Sequence, residues 1–196
     1  MARRRRMRVR GPVGLLVALI AAAAAYWTTR QPPRGVPAQG TVSKVSDGDT
    51  LHVLAEGSGM DYTIRLIGVD TPELHESDKL EKDATRTKQD KRTIQALGKR
   101  AKEFTRRLCE GKTCRLEYDQ ANASSGHKDK YGRLLAYVFM PQYGGSEVFV
   151  NAEIIREGYG AAMTGYPFDD VRKAQFQRLQ HEARGAKRGL WGEWKP

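Results

Sequence analysis

The chain has 196 residues, 39% of them hydrophobic and 29% charged, with a formal charge of +11. That length holds one ordinary core with chain to spare, the balance excludes a mostly disordered protein, and the 2 cysteines exclude a disulfide scaffold or a cysteine-rich zinc module. Eight of the 34 basic residues and none of the 23 acidic ones lie in residues 1–39, which leaves a balance of only +3 on residues 40–196, so charge alone names no partner.

The chain opens as an address. Arg3, Arg4, Arg5, Arg6, Arg8 and Arg10 precede an uncharged run, Gly11–Thr29, whose apolar heart Val13–Trp27 ends near the five alanines 21–25. A basic start, a short apolar run and small residues describe a secretory signal peptide. The same nineteen residues, at ~1.5 Å each, also reach roughly 28 Å, enough for an uncleaved anchor with Tyr26 and Trp27 at the far interface. Either way the arginines hold the N-terminus inside and the remainder of the chain is exported, so an extracytoplasmic place is expected: periplasmic, secreted, or anchored and facing outward. The expected divisions are 1–29 signal or anchor, 30–39 a Pro-containing linker, and 40–196 one folded domain.

Within that domain, Thr41–Ser46 and Leu51–Leu54 read as short strands broken by Asp47-Gly48, and Tyr62–Val69 as a third, reached through the turn 56–59. A charged stretch, Leu74–Lys99, leads into a helix around Gln95–Glu110. Its expected inward stripe is Ala96, Arg100, Ala101, Phe104, Thr105 and Leu108. Cys114–Tyr118, Arg133–Met140 and Glu147–Val150 are further strands. Asn151 is expected to cap a short helix closed by Gly158, and Asp169/Asp170 to open a last helix packed through Val171, Ala174, Phe176 and Leu179. About five short strands with three helices predict an α+β fold, a small antiparallel β-barrel of OB type. The four histidines show no ligand spacing and read as surface residues.

The hairpin carries the chemistry. With its turn centred near Ser58–Gly59, Asp49 (in D-G-D-T) and Asp70 (in D-T-P-E) fall almost opposite each other at its open end. Two carboxylates brought together need a cation or a shared proton, and oxygen-only ligands favour a hard ion such as Ca²⁺ or Mg²⁺. Each motif alone is equally well a structural turn. Arg65 sits mid-strand among apolar residues, where it is either paired with a carboxylate or free to fork onto a phosphate. Glu73, just past Pro72, is placed to act on water as a general base. Arg133 starts a strand after Gly132, with Tyr131 beside it as a neutral donor.

Five segments occur in order: V-S-D-G-D-T-L from Val45, I-R-L-I-G-V-D-T-P-E from Ile64, D-K-Y-G-R-L-L-A-Y-V from Asp129, V-N-A-E-I-I-R-E-G-Y from Val150 and G-L-W-G from Gly189. Together they resemble the staphylococcal nuclease (thermonuclease) family over roughly Thr41 to Trp191. The resemblance implies an OB-fold and a Ca²⁺-dependent phosphodiesterase that cleaves DNA and RNA to 3′-phosphate products, acting as a monomer. It implies one calcium held by Asp49, Asp70 and the carbonyl of Thr71, with Asp47 just behind them. It implies Glu73 as the residue that activates water, Arg65 and Arg133 as the phosphate grips, and Tyr131 as a phosphate contact. Tyr166 would be what is left of a base-stacking rim, since the loop Gly160–Phe168 is poorer in aromatics than the family's. A non-catalytic OB-fold domain that binds nucleic acid or protein in the cell envelope is the competing reading. In an exported protein Cys109 and Cys114 are expected to form a local disulfide, two buried free thiols being the alternative.

Overall fold

The computed structural model describes residues 33–196; the expected signal or anchor segment lies outside the described residues. In chain order the elements are β1 (Gln39–Asp47), β2 (Thr50–Ala55), β3 (Asp61–Leu66), β4 (Val69–Asp70), α1 (Asp78–Thr87), α2 (Lys91–Cys109), β5 (Thr113–Glu117), β6 (Leu134–Pro141), β7 (Glu147–Phe149), α3 (Val150–Arg156), β8 (Ala161–Ala162) and α4 (Asp170–Gly185). Two short 3₁₀ turns, Gln120–Ser125 and Tyr143–Gly145, fill connections. Among the described residues no helix is long and apolar enough to cross a membrane.

Five strands close on themselves. β1 pairs antiparallel with both β2 and β5, β2 with β3, and β5 with β6. The barrel shuts through β3 and β6, which run parallel, so one seam departs from the all-antiparallel expectation. β1 can serve two neighbours because it is bent: its register against β2 slips between Val42 and Lys44 and again between Val45 and Asp47. Such bulges add twist and curvature, and the first explains how Val42 and Val45, three apart, both reach the core. β7 extends the β6 edge as a hairpin remote from the barrel seam, and β4 pairs with β8 in a small separate ladder.

The barrel interior is filled by residues such as Leu51, Val53, Ile64, Leu66, Leu134 and Val138, with α3 and α4 covering it through Ile154, Ile155 and Phe176. A second, smaller cluster joins α2 to the C-terminal tail through Leu97, Ala101, Leu190 and Trp194. Each fully buried large side chain is worth about 1.5–3 kcal/mol, so these two clusters fix where the helices sit relative to the strands.

Several expectations about the helices change. The charged stretch contains a helix of its own, α1, with only Leu80 buried. The inward face of α2 is Ile94, Leu97, Gly98, Ala101, Thr105 and Cys109, while Ala96 and Arg100 face solvent. Phe149, not Asn151, stands at the N-cap of α3. Asn151 is fully buried instead: its amide donates to Ile67 O at 2.9 Å and accepts from Val138 N at 3.0 Å. It therefore stitches the end of β3 to β6, satisfying backbone groups that a barrel edge would otherwise strand. On α4, Phe176, Leu179 and Ala183 are buried, whereas Val171 and Ala174 are exposed. His127 is buried, contrary to the surface reading, in a left-handed conformation with its ring edge on Tyr118.

The cysteines do not form the expected local disulfide. Cys109 and Cys114 are free and buried, and the Cys109 thiol donates to Thr105 O at 2.8 Å within its own helix. Burial pushes the Cys109 thiol up to about 12 and that of Cys114 up to about 11, so both are neutral fillers of the core.

Candidate active site

The β1–β2 hairpin ends in the tightest possible way. Asp47 pairs with Thr50, leaving Gly48 and Asp49 as a two-residue turn. Thr105 on α2 donates to Gly48 O at 2.7 Å, which pins that turn against the helix. Across from it, β3 runs to Leu66, whose N–H donates to Asp49 O at 3.0 Å. The chain then reverses at Ile67-Gly68. Gly68 has φ +73°, and a Cβ there would lie 2.6 Å from the Phe176 ring, so only glycine fits both the conformation and the space. That reversal, held in the β4–β8 ladder, brings Asp70 and Thr71 back beside Asp49.

Asp70 thus reaches the site, but not by hairpin register. β2 and β3 pair Thr50 with Arg65 and Leu54 with Asp61, a frame centred between Gly57 and Ser58. In that frame Asp49 faces Leu66, and it is the Gly68 turn that delivers the second carboxylate.

The polar groups form one connected network. Asp49 Oδ2 accepts from Thr71 N at 3.2 Å and Thr71 Oγ1 at 3.0 Å, and Oδ1 accepts from Thr50 Oγ1 at 3.0 Å. Arg65, 8% exposed, lies between the acidic arms, its NH2 3.3 Å from Asp49 Oδ2 and 3.9 Å from Asp70 Oδ1. Its NH1 donates to Leu66 O at 3.1 Å and Val69 O at 2.7 Å, bracketing the Gly68 turn. The paired reading of Arg65 is therefore correct for the protein at rest. Glu73 is placed by backbone contact: Gly98 on α2 lies so close to the Pro72 and Glu73 carbonyls that a Cβ would sit 2.7 and 2.8 Å from them.

On the other side, Arg133 Nε donates to Asp129 Oδ2 at 2.7 Å and its NH1 to Thr50 Oγ1 at 3.4 Å. Asp129 Oδ1 also accepts from the N–H groups of Tyr131 and Arg133, shaping the turn that presents them. Tyr131 is 71% exposed with the Arg133 guanidinium 5.3 Å from its ring centre. A cleft of about 270 Å³ opens here, lined by Asp61, Tyr62, Lys128, Tyr131 and Arg133 among others. Tyr166 is 64% exposed on the loop that follows β8, and the structure does not bring it into the network.

The centre of the acidic arm is a lysine. Lys79 Nζ donates to Asp70 Oδ1 at 2.8 Å, to Glu73 Oε1 at 2.7 Å and to the Thr71 carbonyl at 3.2 Å. Burial opposes its charge, yet the Asp70 and Glu73 carboxylates more than compensate and hold the ammonium above its ordinary value. Burial also raises Asp70 against the pull of Lys79. Asp49 is more deeply buried, but Arg65, Lys79 and the Thr50 and Thr71 donors outweigh burial and hold it below the usual carboxylate range. At Asp47 the balance reverses: burial and the neighbouring Asp49 charge outweigh the Gly48 N–H and Lys79 and push it up to about 7.

Calcium fits this donor set. Asp49, Asp70 and the Thr71 carbonyl are hard oxygen donors on one wall, and the site already draws a cation, the Lys79 ammonium, onto two of them. Among the described residues no group of three or more His, Cys, Asp and Glu side chains is itself arranged to hold a metal ion, so two carboxylates and a carbonyl are what the protein offers.

The family profile described as staphylococcal nuclease homologue matches residues 63–193. The chain belongs to the staphylococcal nuclease homologue family. The thermonuclease of Staphylococcus intermedius is 35% identical over 150 residues, covering 76% of this chain and 74% of that protein. The thermonuclease of Staphylococcus hyicus is 33% identical over 150 residues, covering 76% and 73%. Endonuclease YhcR of Bacillus subtilis is 30% identical over 161 residues, which are 81% of this chain and only 12% of that protein.

Against this family background, three residues of the network escape the sequence reading. Asp129 is the first letter of the D-K-Y-G-R segment, and its spacing of four from Arg133 is a usable signal. Thr50 is visible only as the end of D-G-D-T. Lys79 carries no signal, being one of many cations in a charged stretch. The helix that presents it is announced by Ser77, which accepts from Leu80 N, and by Asp78 and Glu81 in the first turn.

Proposed function

We propose that this protein is an exported, calcium-dependent nuclease that hydrolyses phosphodiester bonds of DNA and RNA to 3′-phosphate products. The observation that carries the reading is the connected chain of hydrogen bonds and ion pairs running Arg133–Thr50–Asp49–Arg65–Asp70 and on through Lys79 to Glu73. With Lys79 it gathers two guanidiniums and three carboxylates from separated parts of the chain. The thermonuclease and endonuclease names of its relatives support the same class of reaction.

Asp49, Asp70 and the Thr71 carbonyl would hold the calcium. When bound, it would supply positive charge to a phosphoryl oxygen. Arg65 has two NH2 contacts to carboxylates at 3.3 and 3.9 Å, longer than its backbone bonds, so that nitrogen is the one available to a phosphate. Arg133, oriented by Asp129, supplies a second fork, and the two together would neutralise charge that grows on the phosphorus oxygens. Glu73, anchored by the α2 backbone, accepts a proton from the attacking water at Oε1. Tyr131, which lines the cleft, would serve as a donor to phosphate or a platform for a base.

The test uses the folded domain with single-stranded DNA. Cleavage is expected with calcium, none with chelator, and 5′-hydroxyl/3′-phosphate ends on every fragment. Glu73→Gln should lose ~10²–10³-fold in kcat with the fold intact. Binding that survives chelation with no fragment formed would overturn the proposal in favour of a binding domain.

A further inference from the structure

The Lys79 ammonium occupies the very oxygens that the proposed calcium would use. It takes Asp70 Oδ1 and the Thr71 carbonyl, and adds Glu73 Oε1. Calcium bonds such oxygens at about 2.3–2.6 Å. An ion on those two atoms would lie within a few ångströms of Nζ, and two cations at that distance repel strongly in a half-buried site. The ammonium is held by side chains and a carbonyl that are fixed by the Gly68 turn and by α2, whereas Lys79 itself sits in the first turn of α1, a helix with one buried residue. Its side chain is 39% exposed, against 23% for Asp70 and 20% for Glu73. A flexible four-carbon stem at an open mouth can swing its head into water without disturbing anything packed.

We propose that Lys79 is a tethered competitor of the divalent cation: it fills the acidic arm when metal is absent and leaves for solvent when metal binds. The inference rests on the calcium reading above and adds a residue that sets the threshold for metal binding. In the metal-free protein the ammonium keeps Asp70, Thr71 and Glu73 drawn together, so the site is assembled before the ion arrives. The same contact lowers the apparent metal affinity, because metal binds only the fraction of molecules whose lysine has swung out. It also covers Glu73 Oε1, so that the proton acceptor is exposed to water only when the metal is in place.

Calcium binding is measured by titration calorimetry on the wild-type domain and on Lys79→Met. In parallel, the rate of reductive methylation of each lysine in the wild-type protein is followed by mass spectrometry, with and without calcium. Lys79→Met should bind calcium about tenfold more tightly, the order expected from losing charge-assisted hydrogen bonds to the competing group. Calcium should raise the labelling rate of Lys79 about tenfold, while exposed Lys82 is unchanged. Calcium binding with Lys79 as protected as before, or equal affinities for the two proteins, would overturn the competitor role and leave the calcium reading standing. Absence of binding in both proteins would remove the calcium reading itself. The labelling arm needs no variant, so a poorly folded Lys79→Met does not blunt the test.

Discussion

Replacing Arg65 with methionine should destabilise the protein as well as silence it, and the pH dependence of the loss identifies the cause. Asp49 is 7% exposed, and Arg65 is its nearest full positive charge, at 3.3 Å. At an effective dielectric near 20, that contact is worth about 5 kcal/mol before solvation is counted. Removing one partner of a buried pair costs about 3–5 kcal/mol, and the Leu66 and Val69 carbonyls lose charge-assisted donors of about 1.5–3 kcal/mol each. Offsetting this, Asp49 keeps its three hydrogen bonds from Thr50 and Thr71 and the nearby Lys79 charge. A net loss of at least about 3 kcal/mol is expected near neutral pH. Arg65 helps to hold Asp49 below its ordinary value of 3.8, so this stabilisation is present above that pH and fades as pH falls through the folded value. The deficit of Arg65→Met should therefore be full at about pH 7 and shrink below about pH 4. Calcium should shrink it too, by restoring positive charge beside Asp49. Urea unfolding followed by tryptophan fluorescence measures all of this, since Trp194 is buried in the α2–tail cluster. A loss under about 0.5 kcal/mol, or one that does not change with pH, would refute the reasoning.

Other residues test separate links. Asp129→Asn keeps an acceptor for the Tyr131 and Arg133 backbone but removes the charge that orients the Arg133 guanidinium, so kcat/KM for DNA should fall ~10²-fold with little change in Tm. Unchanged kcat/KM would show that Asp129 does not position Arg133. Gly98→Ala gains about 1 kcal/mol of helix propensity but pushes on the Pro72 and Glu73 carbonyls; cleavage should drop at least about tenfold while urea stability moves by less than about 2 kcal/mol. Full activity would mean that Glu73 is not held by that contact. In Asp47, burial and Asp49 raise the folded value from 3.8 to about 7, so the metal-free protein loses stability as pH rises between those values, by at most about 4 kcal/mol. Asp47→Asn should flatten that slope in metal-free unfolding curves, and an unaltered slope would remove Asp47 as its source.

Local chemistry with a strong pattern was legible in the sequence. The Asp47-Gly48-Asp49 turn, the alternation in β2 and the charged letters of D-T-P-E each depend on neighbours within a few residues. The β2–β3 turn is centred one residue earlier than its sequence-based placement. It is set by which residues of 56–59 turn left-handed; Gly57 and Gly59 both do, and Gly-Ser-Gly does not announce that choice. Asp49 and Asp70 do come together, but not by the hairpin register from which the sequence places them opposite; the Gly68 reversal that joins them is not legible. That reversal depends on space left by Phe176, more than a hundred residues away. Asn151 shows the same limit. A polar residue before an apolar helical run looks like a cap, but here the barrel needs its amide to join Ile67 to Val138. Lys79 is hidden because it is one of many cations in a charged stretch whose helix buries only Leu80.

The most direct test compares calcium binding with cleavage across three variants. Calorimetry should find one calcium per chain in the wild-type domain and in Glu73→Gln, and binding weakened at least ~10²-fold in Asp49→Asn and Asp70→Asn, while all three variants fail to cut single-stranded DNA. Wild-type calcium affinity in both aspartate variants, or brisk cleavage by any of them, would contradict an active site built on those two carboxylates.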